Sequence, residues 1–178
     1  MTGQRWIFIG AVVCGLAVAL GAFAAHGLDK VFVEKYAGET REIGGQTLPR
    51  AAKYLNDFKT GAEYQMYHGL ALIAVGLLAE RRSSRAAIIA AWSFSGGIVL
   101  FSGSLYLLTL TGVTRWGMVT PLGGLAFLVG WSFLSIAALG GQKAQTQMIA
   151  WTADADFKSS EGFRQGKHLE HDADIVDV

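Results

Sequence analysis

Two histidines have the broadest chemical repertoire of any side chains in this sequence. His26 closes the first long apolar run and His68 lies in the second, one helical turn after Tyr64. An ionisable residue in a membrane segment is a functional hypothesis by default. Two facing imidazoles can ligate haem iron, hydrogen-bond a quinone or relay protons. The alternative is structural, with each ring hydrogen-bonded near the end of its helix on the side of the long loop. We expect this structural role, with no metal or cofactor bound.

Other residue patterns that support catalysis are missing from the sequence. Cys14 is the single cysteine, which excludes a disulfide framework, a thiolate zinc site and a two-cysteine redox pair within the chain. His168 and His171 in the tail lack a recognised ligand spacing. The chain also has no glycine-rich phosphate loop, nucleophile elbow or paired-carboxylate site. We therefore predict no catalytic residue and a protein that is not an enzyme.

Composition indicates the solvent in which these residues lie. Of 178 residues, 52% are hydrophobic and only 16% are charged, against about 25% charged in ordinary soluble domains. The 23 glycines are accompanied by only two prolines, so the chain is not of the disordered Pro/Gly-rich kind. A net charge of +1 gives no electrostatic footprint for nucleic acid. The composition is typical of a membrane protein.

The charged residues leave four gaps, which we interpret as membrane spans. No Asp, Glu, Lys or Arg occurs in residues 6–26, 64–79, 86–114 or 116–142. A bilayer core needs roughly 20 mostly apolar residues per helix. We predict an all-α bundle of four transmembrane helices in residues 1–141, with spans at about 6–26, 61–79, 86–111 and 117–140. Four spans place both termini on one side, and the short basic loop at Arg81, Arg82 and Arg85 favours the cytoplasm.

Small residues recur at helical spacing in the first and last spans. Such faces let membrane helices approach closely. A homotypic dimer is one interpretation, and we favour internal packing of the bundle, leaving a homo-oligomer possible. The predicted packing residues are Gly10, Cys14, Ala17 and Gly21 in the first span and Gly123 and Gly130 in the last.

Two polar segments flank the predicted bundle. In residues 27–63, Leu28, Phe32 and Tyr36 repeat at four-residue steps, which predicts a short interfacial amphipathic helix. Residues 40–48 are expected to form a loop, and Pro49 to begin a helix that continues into the second span. The polar tail, residues 142–178, is expected to be disordered alone. Its aromatic residues suit docking to a neighbouring subunit, and they are Trp151, Phe157 and Phe163.

Four short segments in order carry a resemblance to a known family. They are Gly21–Gly27 (GAFAAHG), Tyr64–Leu72 (YQMYHGLAL), Phe101–Tyr106 (FSGSLY) and Thr120–Gly124 (TPLGG). Over residues 6–140 the chain resembles the bacterial family catalogued as domain of unknown function 423, whose eukaryotic relatives are the transmembrane protein 256-like proteins. Two departures are Ala24, where the family usually has glycine, and an extension around residues 40–48. The resemblance implies a small multipass protein of the bacterial inner membrane with no assigned reaction.

Three functional classes remain open from the sequence. The first is a non-catalytic accessory or scaffolding subunit that packs against a larger membrane complex, such as one of electron transfer. The second is a small transporter or channel, and the third is a haem- or quinone-binding module that uses His26 and His68. We favour the first class, because the apolar runs contain no carboxylate and the tail offers a docking segment. The expected partners are the lipid bilayer and other membrane-protein subunits.

Overall fold

The fold is almost entirely helical. The computed structural model describes the backbone of residues 2–82 and 84–173, and the side chains of these residues except 141–148, 150, 153, 156 and 158–173. The predicted all-α class is confirmed, with one small β-hairpin in addition. The elements are α1 (Gly3–His26), α2 (Leu28–Lys35), β1 (Thr40–Ile43), β2 (Gln46–Pro49), α3 (Arg50–Arg81), α4 (Arg85–Ile98), a π-helical turn (Val99–Gly103), α5 (Ser104–Thr111), a 3₁₀ turn (Thr114–Met118) and α6 (Thr120–Ala173).

Three helical segments in the described residues are long and apolar enough to cross a membrane. They are Gly3–His26, Arg85–Thr111 and Thr114–Gly140. The second predicted span falls within α3, whose 32 residues are long enough but do not form a candidate span by composition. The count of four spans therefore stays a prediction.

Helices α1 and α3 pack in antiparallel fashion through glycines. A Cβ added at Gly10 would lie 2.7 Å from the carbonyl oxygen of Gly69, and one added at Gly76 would lie 2.8 Å from that of Gly3. Such distances are below van der Waals contact, so the two backbones touch. Only glycine allows this approach of the two helices.

Helix α6 packs on α4 and on the π-helical turn. A Cβ on Gly97 would clash with the ring of Phe127, and one on Gly130 would clash with the ring of Phe94. Phe94 and Phe127 belong to a buried cluster that also contains Leu72 of α3. Ser84 caps the start of α4 by accepting a hydrogen bond from the backbone of Ala87, 3.1 Å away.

The segment between α1 and α3 is more ordered than the sequence indicates. The apolar side of α2 is buried, with Phe32 packed in a cluster with Tyr54 and Phe58 of α3. The prediction of a loop in residues 40–48 is wrong, because β1 and β2 form an antiparallel hairpin. Its two-residue turn is Gly44–Gly45, with φ of 57° and 80°. Positive φ at both positions is typical of tight hairpin turns and is most easily adopted by glycine.

The contacts divide the chain into two compact units, Met1–Ala137 and Ala138–Val178. The polar tail was expected to be disordered, and this expectation is wrong for its described backbone, since α6 continues to Ala173. The tail contains no proline, and a helix satisfies its own backbone hydrogen bonds without a hydrophobic core.

Candidate functional site

His68 lies near the middle of the α1–α3 pair. Gly10 packs against Ile73 and Cys14 against Gly69, so His68 is level with the centre of α1. Because α1 is a candidate membrane span, this level is the middle of that candidate span. The expectation that His68 lies one turn in from the long loop is therefore wrong. The error arises because the position of His68 was counted from Tyr64, where the charge-free run begins, whereas α3 already packs beside the end of α1 at Tyr54.

The hydrogen bonds of His68 assign its tautomer. Nδ1 lies 2.7 Å from the carbonyl oxygen of Tyr64, which can only accept, so Nδ1 carries the proton. Nε2 lies 3.3 Å from the indole Nε1 of Trp131, which can only donate. Both partners fit the same neutral imidazole. Neither ring nitrogen is then available to a metal unless one of these bonds breaks.

Aromatic rings surround this neutral imidazole. His68 is only 4% exposed, and the ring of Phe127 stacks on it with 3.4 Å between centroids and 5° between planes. Tyr64 lies on a similar plane, 5.9 Å away and tilted by 29°, and itself stacks on Phe101 at 4.5 Å and 21°. The rings of α3 therefore alternate with those of the π-helical turn and α6 in roughly parallel orientation.

A cavity of about 600 Å³ opens beside these rings, between α3 and α6. We call it the α3–α6 cleft. Its mouth lies at exposed apolar side chains, because Tyr67 is 55% and Leu128 66% exposed. His68 is its only titratable group besides the two phenols. The lining residues are Tyr64, Tyr67, His68, Phe101, Gly124, Phe127, Leu128 and Trp131.

The π-helical turn positions Phe101, a residue that the sequence analysis did not select. The turn interrupts the long apolar helix between α4 and α5. Gly123 of α6 approaches the backbone nitrogen of Phe101 so closely that a Cβ there would clash. π-helical turns often accompany functional sites. No sequence signal marks this turn, because its residues Val99–Gly103 have the same apolar character as their neighbours.

The structure does not bring the two histidines together. His26 is exposed at the end of α1, two residues after Ala24, which shares a buried cluster with Tyr54. Tyr54 lies 14 residues, or roughly 21 Å, before His68 on α3. Of the sequence candidates, only Tyr64 lies beside His68. Glu63 is exposed and lines a different pocket. No group of three or more His, Cys, Asp or Glu side chains in the described residues could hold a metal ion.

Most of the predicted packing residues lie in close contact with a neighbouring helix, and one does not. Gly10, Cys14 and Ala17 lie against α3, and Gly123 and Gly130 lie against the π-helical turn and α4. Gly21 is different: a Cβ there would meet nothing within 4 Å. The prediction that Gly21 belongs to the close contact is wrong, because α1 and α3 leave a pocket at this level.

Comparison with known proteins identifies the family. A family model described as "Protein of unknown function (DUF423)" matches residues 20–124, more than half of the chain. The chain belongs to the DUF423 family. This match confirms the resemblance that the four sequence segments indicated.

The relatives are named as membrane proteins. The UPF0382 membrane protein YwdK of Bacillus subtilis is 40% identical over 75% of this chain and 95% of its own length. The UPF0382 inner membrane protein YgdD of Escherichia coli is 36% identical over 76% of this chain and 91% of its own length. No solved structure matches the chain. This DUF423 chain is thus a membrane protein, and the names of these two relatives state no reaction.

A second aromatic cluster in this DUF423 chain, which the sequence analysis missed, centres on Arg50. Its guanidinium pairs with Glu39 and donates to the hydroxyl of Tyr54 at 2.8 Å and to the carbonyl of Gly112 at 3.0 Å. It also lies over the rings of Tyr36 and Tyr54. The hydrogen bond to Tyr54 raises the pKa of Arg50, and burial raises the pKa of Tyr36. We call this the Arg50 cluster, and it ties the long loop to the end of α5.

The structure describes the side chains of two of the three predicted docking residues in the tail. Trp151 is 71% and Phe157 60% exposed on α6. The side chain of Phe163, the third predicted docking residue, lies outside the described residues. Both exposed aromatic side chains lie in the polar segment of α6 that follows the candidate span.

Proposed function

We propose that this chain is a non-catalytic accessory or scaffolding subunit of a larger complex in the bacterial inner membrane. The observation that carries the proposal is the tail segment of α6, where Trp151 and Phe157 are exposed among charged residues. Such aromatic side chains contribute most of the energy in many protein interfaces. The relatives' names, which include "inner membrane protein", support the location.

We further propose that α3 is the fourth membrane span. It packs along α1 from the contact of Gly76 with Gly3 to the cluster that Tyr54 forms with Ala24, so both helices cover the same depth. A helix that lies along a membrane span over its whole length must cross the same layer. Its lower hydropathy comes from polar residues such as Gln65, whose amide donates to the carbonyl of Val13 at 3.0 Å in the interior.

Four spans place the β-hairpin and the tail on opposite sides of the membrane. The short basic loop between α3 and α4 favours cytoplasmic termini, and the hairpin is then external. Replacing Cys14 with alanine removes the only cysteine, so single cysteines can be introduced one at a time. We expect a membrane-impermeant maleimide to label Glu42→Cys in intact spheroplasts and Thr152→Cys only after lysis.

Each alternative topology gives a different labelling pattern. If both positions are labelled in intact spheroplasts, α3 does not cross and the four-span proposal is wrong. If only Thr152→Cys is labelled, the spans are four but the orientation is reversed. Both single-cysteine variants carry the same background substitution, so each serves as the control for the other.

The accessory role is tested through the tail. We expect Trp151→Ala/Phe157→Ala to lower the apparent mass of the native complex extracted in mild detergent, as seen on native gels, without changing the amount of inserted protein. Thr152→Ala is the matched control, since this exposed residue bonds only to its own helix at Ile149. A complex of unchanged mass in the double variant contradicts the proposal. A mass equal to twice that of the chain indicates a homo-oligomer instead.

A further inference from the structure

The α3–α6 cleft has a neutral lining. None of its eight lining residues is Asp, Glu, Lys or Arg, and the hydrogen bonds of His68 assign it the uncharged form. Desolvating a charged ligand in such a site is costly, since nothing in the lining opposes its charge. An occupant must therefore be neutral.

The polar groups that remain in the cleft are two phenol hydroxyls, each of which can donate one hydrogen bond. The hydroxyls of Tyr64 and Tyr67 have no hydrogen-bond partner among the residues that the structure describes, and His68 and Trp131 satisfy each other. A phenol in an apolar site gains by donating to an oxygen of the ligand. The lining thus complements a neutral molecule that carries acceptor oxygens.

The walls favour a flat ring. Tyr64 and Phe101 lie within 21° of each other, and His68 and Phe127 within 5°. Roughly parallel rings bordering an open volume offer offset stacking to a further planar ring. The volume of about 600 Å³ lies within the range of small-ligand pockets.

Access to the cleft is from the side. Its mouth is at Tyr67 and Leu128, both exposed, and His68 is level with the middle of the candidate span α1. A ligand that arrives there must be soluble in the bilayer and can leave an apolar tail outside the cleft. Size, neutrality, acceptor oxygens and lateral entry all apply to one class of membrane molecule.

We propose that the α3–α6 cleft binds a lipid-soluble quinone. The dione ring stacks beside Tyr64 and Phe127, its carbonyl oxygens accept hydrogen bonds from the hydroxyls of Tyr64 and Tyr67, and its tail leaves past Leu128. His68 holds Trp131 in place rather than binding the ring directly. The inference rests on the proposed membrane placement of α3, which the cysteine labelling tests separately.

The first test fills the cleft. A Cβ at Gly124 would lie 4.0 Å from the nearest atom, on Phe101, so Gly124→Leu places its side chain in the cleft with little disturbance of the backbone. The matched control is Gly15→Leu, where a Cβ meets nothing within 4 Å on the exposed side of α1. We expect decylubiquinone to quench the tryptophan fluorescence of the protein in nanodiscs saturably. Gly124→Leu should weaken binding at least tenfold, and Gly15→Leu should leave it unchanged.

The second test distinguishes a quinone from any apolar occupant. Tyr64→Phe/Tyr67→Phe removes two hydroxyls and keeps both rings, so decylubiquinone should bind at least fivefold more weakly. Decylbenzene, which lacks the carbonyls, should compete weakly and equally with both proteins. If decylbenzene competes as well as decylubiquinone, the proposal is wrong. It is also wrong if neither Gly124→Leu nor Tyr64→Phe/Tyr67→Phe affects quenching by decylubiquinone. Should Gly124→Leu fail to fold, the tyrosine variant alone decides.

Discussion

On one face of α3, Gly69 and Gly76 let the backbone of α1 approach to contact, whereas on the other face Tyr64 and His68 hold α6 away and leave the α3–α6 cleft. Both faces belong to one helix, so the difference comes from the side chains that each face presents. Small residues join membrane helices and exclude ligands. Large rings also pack tightly, but between helices that are farther apart they leave shaped volumes that a ligand can enter.

The Arg50 cluster extends this comparison beyond the apolar layer. Like the cleft, it gathers aromatic rings around one basic side chain, here Tyr36 and Tyr54. There, however, the guanidinium bonds to Glu39, Tyr54 and Gly112 and spans three segments of the chain. Aromatic and basic residues together therefore do not define a ligand site. The cavity beside His68 is what makes the α3–α6 cleft a candidate ligand site.

The largest effect on the free energy of unfolding should come from disrupting the close contact between α1 and α3. Gly10→Leu forces a side chain into the backbone of Gly69, so we expect a loss of about 3 kcal/mol or more in the free energy of unfolding. Unfolding by dodecyl sulfate in mixed micelles measures this loss. Gly21→Leu, at an open position of the same helix, should cost less than about 0.5 kcal/mol. Equal losses would show that α1 does not pack through this face.

The behaviour of Gly21 shows how far a sequence predicts such packing. Spacing places Gly10, Cys14 and Gly21 on one side of α1, but it contains no information on where the neighbouring helix diverges. Charge-free runs likewise predicted the positions of α1 and of the apolar part of α6, because the bilayer acts on each helix separately. The prediction that a helix begins at Pro49 and continues into the second apolar run is confirmed by α3. The Arg50 cluster at the start of α3 was not predicted, because its members come from three separate segments of the chain.

The sequence did not predict the α3–α6 cleft, because the cleft is formed by residues that are distant along the chain. Its walls are Tyr64 and His68 on one helix and Phe127 and Trp131 on another, about 60 residues apart in sequence. A resemblance marks conserved-looking segments, but it does not state which of them meet. The π-helical turn that brings Phe101 to the cleft depends on the close approach of Gly123, which is a tertiary contact.

The second prediction compares two adjacent glycines of α6. Gly123 faces the backbone of Phe101 in close contact, whereas Gly124 faces the cleft. We expect Gly123→Ala to lower the free energy of unfolding by about 2 kcal/mol through overpacking. Gly124→Ala should leave it unchanged or raise it by up to about 1 kcal/mol, because alanine favours the helix. Dodecyl sulfate titrations of the two variants give the comparison directly, and a reversed order would contradict the assigned faces.

The third prediction concerns the bond between His68 and Trp131. His68→Phe keeps a flat ring against Phe127 but removes the acceptor of the indole N–H, so we expect a loss of about 1 kcal/mol. The emission of Trp131 should change with it, as read by the difference from Trp131→Phe in each background. His68→Gln, which offers an acceptor, should recover part of the loss. Full stability of His68→Phe would mean that this bond contributes nothing.

The smallest expected effect comes from removing one hydroxyl on each face of α3. It compares the loss of stability in Tyr106→Phe with that in Tyr67→Phe. The hydroxyl of Tyr106 donates to the amide oxygen of Gln65 at 3.0 Å, on the packed side, and the amide of Gln65 continues the chain to α1 at Val13. Tyr106→Phe leaves that oxygen without its donor, and interhelical bonds of this kind average about 0.6 kcal/mol in membranes. We expect a loss of this size for Tyr106→Phe. Tyr67→Phe should cause none, because Tyr67 lines the cleft and its hydroxyl has no partner among the described residues. Parallel dodecyl sulfate titrations resolve the difference. A loss in Tyr67→Phe as large as that in Tyr106→Phe would mean that the cleft hydroxyl is already bound within the protein, and the cleft would then have no free donor at Tyr67 for a ligand.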